Sequence, residues 1–103
     1  MLNFDDLREA NIERIPNFRM NSIFDWSETD WACAAAGELG EACNLIKKRR
    51  RGEKITTHEV AKEIADTVIY LDLLAARVGI NLGETIRYKF NEVSIRVNSS
   101  VRL

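Results

Sequence analysis

AKEIADTVIYLDLLAARVG, residues 61–79, is the stretch on which the fold turns, because its apolar residues leave almost no side of a helix polar. At helical spacing Val60, Ile64, Val68, Leu71, Ala75 and Val78 form one stripe, and Ala65, Ile69, Leu73 and Ala76 form another. Such a helix needs burial on two sides. Thr56 with Glu59 three residues on reads as a capping box for its start, and Gly79 as its stop. Glu63 and Asp66 fall between the two stripes. A chain of 103 residues has little material left to cover both, so part of this surface is expected to meet a second subunit.

Upstream, Ser27 caps a second helix with Asp30 at its third position, and Ala-rich sequence runs from there to the basic cluster Lys47 to Arg51, where Gly52 ends it. Downstream, Asn81 with Glu84 in the first turn opens a helix reaching about Val97, followed by a polar tail. Residues 1–26 read as a flexible entry segment: a short helical candidate from Phe4 to Arg14 capped by Asn3, a breaker at Pro16, and a polar-aromatic stretch ending at Trp26. No strand pattern of note appears. The expected fold is all-α, a single domain over residues 1–103 with an entry segment (1–26), a helical core (27–97) and a tail (98–103). It is an antiparallel bundle of about four helices, completed by homo-oligomerisation.

Hydrophobic residues at 46% and charged residues at 30% exclude disorder and fibrous repeats. No apolar run approaches the roughly 18 residues that span a bilayer, and MLNFDDLREA carries acids where a secretion signal needs bases. No membrane partner and a cytoplasmic location are therefore expected. Cys33 and Cys43 would lie about 15 Å apart along one helix, too far for a disulfide, and read as reduced packing residues. A formal charge of −1 argues against a nucleic-acid polymer as partner, so anion binding must come from local clusters.

On the helix after Ser27, Trp31, Ala35, Ala42, Leu45 and Ile46 form an apolar arc; Glu38 falls in its middle and Glu41 at its edge. The short connection to residues 61–79 favours antiparallel neighbours, so Glu38 and Glu41 are expected to face Glu63 and Asp66. Two carboxylates about 5 Å apart repel by on the order of 3 kcal/mol at an effective dielectric near 20. Four gathered acids need compensation, and Lys47, Lys48 and Lys62 point largely to other faces of their helices. A bound Mg²⁺, with Mn²⁺ as an alternative, supplies it through hard oxygen ligands. The bland alternative is four half-exposed acids reaching water along the edge of the bundle. A di-iron bundle needs ExxH motifs, and His58 is the only histidine.

ELGEACNLIKK (38–48) followed by EIADTVIYLDLLAARVGINL (63–82) resembles the MazG-like all-α nucleoside triphosphate pyrophosphohydrolases, with DWS before the first helix and KFNEVSIR after the third extending the likeness over about residues 26–96. One departure is Gly37, where members often carry a further acid. The resemblance implies a helical homodimer or homotetramer that binds Mg²⁺ through Glu38, Glu41, Glu63 and Asp66. It further implies hydrolysis of (deoxy)nucleoside triphosphates to monophosphate and pyrophosphate, in nucleotide-pool housekeeping. Glu38 or Glu41 is then the candidate catalytic base, since an apolar arc raises a carboxylate's proton affinity.

In similar proteins the KFNEVSIR segment lies over the triphosphate, which makes Lys89, Asn91 and Arg96 candidate phosphate ligands, with Lys48 of the basic run as a further one. Each basic residue has a plain counter-reading as a surface cation near a helix C-terminus. Trp31 stands seven residues before Glu38, about 10 Å along the axis, a fitting distance from metal to base. Trp26, just ahead of the helix, is a candidate mobile wall, and Tyr70, one turn past Asp66, a candidate to hold a carboxylate or the sugar. The competing class is a non-catalytic nucleotide-binding or helical oligomerisation module.

Overall fold

The computed structural model describes residues 1–103 and is all-helical. Four α-helices follow in order: α1 (Phe4–Arg14), α2 (Glu28–Arg50), α3 (Thr57–Val78) and α4 (Leu82–Arg96), with 3-10 turns at Ile15–Phe18 and Ile23–Asp25 between α1 and α2. The caps read from the sequence are in place. Ser27 Oγ accepts from the Asp30 amide while the Asp30 carboxylate accepts from the Ser27 amide, and Thr56 and Glu59 repeat the exchange for α3. Asn3 and Asn81 cap α1 and α4 through their side-chain oxygens. Gly79 closes α3 at φ 90°, a left-handed conformation in which a Cβ would be strained.

The α2 and α3 helices pack as an antiparallel hairpin across the six-residue link 51–56, and this is the most extensive contact in the molecule. The stretch 1–26, expected as a flexible entry, carries α1 and both 3-10 turns and supplies half of the central core, where Ile15 and Ile23 close over Trp31 and Leu73. Its anchor is polar. Asp72 on α3 is fully buried and accepts from Arg8 Nε at 3.2 Å and from Asn11 Nδ2 at 2.9 Å, both donors lying on α1. The indole of Trp31 donates to the Ile23 carbonyl at 3.0 Å. Cys33 and Cys43, expected as packing residues, are exposed free thiols, because the buried arc of α2 runs through Trp31, Ala35 and Ala42 on another side.

The α4 helix is held lightly. Its N-cap Asn81 donates to Asp5 at 3.2 Å and Gly83 lies close to the Phe4 side chain, while Ile86, Phe90, Ile95 and Val97 remain exposed. Also uncovered are Leu39 and Ile46 of α2 and Ile64, Val68, Leu71 and Val78 of α3. No helix is long and apolar enough to cross a membrane.

Candidate metal and nucleotide site

The hairpin brings the carboxylates together. Glu38 and Glu63 are half-buried, Glu41 is exposed, and one oxygen from each of the three lies within 4.8 Å of the others. Asp66, one turn beyond Glu63 and half-buried, does not join that trio but is close enough to act on both Glu38 and Glu63. Loss of hydration, followed by the charges of Asp66, Glu41 and Glu63, raises the pKa of Glu38 above the usual carboxylate range. The pKa of Glu63 is raised first by loss of hydration and then by Glu41 and Asp66, with Lys62 pulling weakly the other way.

The donor set fits a hard divalent cation. Every available atom is a carboxylate oxygen, Lys62 is the only cation acting on Glu38 or Glu63, and Glu63 Oε2 is buried with no hydrogen-bond partner. A buried carboxylate oxygen without a partner, on a side chain that Glu41 and Asp66 already repel, is costly unless something positive meets it.

The three aromatic candidates also converge, one to two turns away. The Trp26 and Trp31 rings stand 4.6 Å apart between centroids, and Tyr70 lies 6.3 Å from Trp31. Together they line a cavity of about 170 Å³. Arg14, Ile15, Phe18 and Met20 close it from the α1 side, and these four residues were not legible as site residues, because α1 reaches the cavity only through the tertiary fold. Trp26, expected as a mobile wall, packs its ring on Trp31, and its carbonyl accepts from Arg77 Nε at 2.9 Å.

The candidate phosphate ligands stand apart from the acids within one chain. Lys48 is exposed near the end of α2, about 15 Å along the axis from Glu38. Lys89 pairs with Glu92 at 2.9 Å, the Asn91 side chain is bonded to the Leu103 backbone, and Arg96 is exposed on the last turn of α4. None of them is among the groups that act on Glu38 or Glu63.

Comparison with family models, with curated proteins and with solved structures finds no match to this chain.

Proposed function

We propose that the chain is a Mg²⁺-dependent hydrolase that cleaves (deoxy)nucleoside triphosphates to monophosphate and pyrophosphate and works as a homo-oligomer. The observation that carries this reading is the meeting of Glu38, Glu41 and Glu63, with Asp66 one turn further on and almost no basic partner, one to two turns from an aromatic cavity of nucleobase size. Divalent cations held by these carboxylates would neutralise phosphate oxygens and lower the pKa of water. Water adds to the α-phosphorus, the bond to the α–β bridging oxygen breaks, and pyrophosphate leaves with that oxygen. The water's proton passes to a carboxylate. Glu38 is better suited to it than Glu41, because Glu38 is half-buried on the apolar arc and Glu41 is exposed. Trp26, Trp31 and Tyr70 hold the base and sugar, while Lys48, Lys89, Asn91 and Arg96 remain the candidates for phosphate.

Self-association has its own support. The accessible surface is 7664 Å². A compact monomer of 11.8 kDa exposes roughly 5,900 Å². The surplus exceeds the approximately 800 Å² that each partner buries in a standard interface. The same surplus also suits the oligomerisation module, and activity decides between the two. Pyrophosphate release from a nucleotide panel with Mg²⁺ is expected, falling by at least about 100-fold in Glu38→Gln and Asp66→Asn. Absence of release, with no thermal shift on adding Mg²⁺, overturns the hydrolase and leaves the scaffold.

A further inference from the structure

We infer that the tip of the α2–α3 hairpin is a docking surface for the phosphate backbone of double-stranded nucleic acid, held without regard to base sequence. The formal charge of −1 conceals a division. Six of the chain's 15 Lys and Arg lie within residues 47–54 beside a single acid, Glu53, while the remainder carries nine bases against 15 acids. Every residue of 47–54 is exposed. Arg49 is turned across the hairpin, donating to Thr57 Oγ1 at 2.9 Å, and Arg51 pairs with Glu53 at 3.0 Å. Lys47, Lys48, Arg50 and Lys54 have neither an acid nor a hydrogen-bond acceptor on their side chains. At roughly 100° per residue, Lys47, Lys48 and Arg50 fan over the half of the helix opposite Arg49, away from its contact with α3.

A helix C-terminus presents about half a negative charge, which one cation meets. The consecutive cations Lys47 to Arg51 exceed that need and repel one another, and none of them is among the groups that act on Glu38 or Glu63. A polymer with closely spaced anions relieves the repulsion, and a nucleic-acid duplex carries one charge for about every 1.7 Å of its axis. The chemistry of the tip selects among polyanions. No Phe, Tyr or Trp lies between Trp31 and Tyr70, so the tip offers no ring on which the bases of a single strand could stack. Stable attachment to a membrane needs an apolar signal beside a basic one, and residues 47–54 hold no apolar side chain. What is left is contact with phosphates, which positions a duplex without reading its sequence.

Fluorescence anisotropy of a labelled DNA duplex, titrated with the full chain in EDTA, tests the assignment; EDTA keeps a metal bridge between the acids and phosphate from standing in for the tip. If each of the four free cations meets one phosphate, affinity should fall on the order of 100-fold between about 50 and 200 mM salt, and two duplexes of unrelated sequence should bind alike. Lys47→Gln, Arg50→Gln and Lys54→Gln together should weaken binding at about 50 mM salt by at least roughly tenfold and flatten its salt dependence, with the helical circular-dichroism signal unchanged. Glu53→Gln, which frees Arg51, should bind more tightly and fall more steeply with salt, a gain that misfolding does not produce. None of these substitutions touches a residue of the nucleotide site proposed above, so the two readings stand or fall separately. No binding at the lower salt, equal binding by the triple variant, or tighter binding to phosphatidylserine vesicles at equal anion concentration overturns the assignment, the last by moving the surface to a membrane.

Discussion

Glu63 and Glu38 hold their protons more tightly in the folded chain than when unfolded, and the sign of the effect on stability follows. A carboxyl with a raised folded-state pKa makes the native state bind more protons, so metal-free stability falls as pH rises from the ordinary glutamate value of 4.5 through the raised value. Above that window the cost is fully present, with Glu41 and Asp66 as the repelling neighbours and Lys62 the one opposing cation. Thermal melts in EDTA should show this decline; Glu63→Gln should flatten it and raise the midpoint at neutral pH, and a wild-type midpoint that climbs over the same window would sink the account. The carboxylate of Asp72, by contrast with that cluster, has donors on it from Arg8 and Asn11. Arg8→Met would leave a fully buried carboxylate with Asn11 alone, and denaturant titration should show a loss of about 3 kcal/mol, the low end for breaking a buried pair since Arg8 is itself 26% exposed. A loss below about 1 kcal/mol would mean that water replaces the guanidinium at Asp72. This network was invisible in the sequence: Arg8 and Asp72 are 64 residues apart, and nothing local marks an acid in YLDLLA as buried. Glu38 was legible, because the apolar arc around it lies within its own helix.

At the level of the element, the helices are specified almost wholly by local chemistry. Ser27 and Thr56 each close a reciprocal cap, and Gly52 and Gly79 take the left-handed turn after their helices. These signals span three or four residues, which is why the helix limits could be read without any tertiary knowledge. What could not be read was the role of 1–26, since a short helix followed by Pro16 has the local signature of loose chain and its burial depends on α3. Thr56→Ala removes the side-chain acceptor for the Glu59 amide and should cost about 1 kcal/mol. For a domain of this size that is roughly 4–8 °C in melting temperature, and an unchanged melt would place the start of α3 outside the cooperative unit. Gly79→Ala should cost a similar amount through backbone strain at φ 90°.

The whole molecule is wider than its length requires. Its radius of gyration is 16.2 Å, against about 13 Å for a compact domain of 100 residues. The same open shape leaves apolar residues of α2, α3 and α4 exposed. Sedimentation should find a dimer or larger species at micromolar concentration, and Ile64→Glu combined with Val68→Glu should shift it toward monomer while leaving the helical signal in place. A monodisperse wild-type monomer would instead mean that this surface stays wet.

Ile15 and Ile23 sit over Trp31, and Ile15 also borders the cavity that Trp31 helps to wall. Filling the cavity and clamping the N-terminal third of the chain are therefore one event. Amide deuterium uptake across residues 11–26 should slow when a nucleotide is bound, far along the chain from the acids. A protease cut near Arg19 would loosen that segment and should lower ligand affinity and stability together, because the same residues close the core.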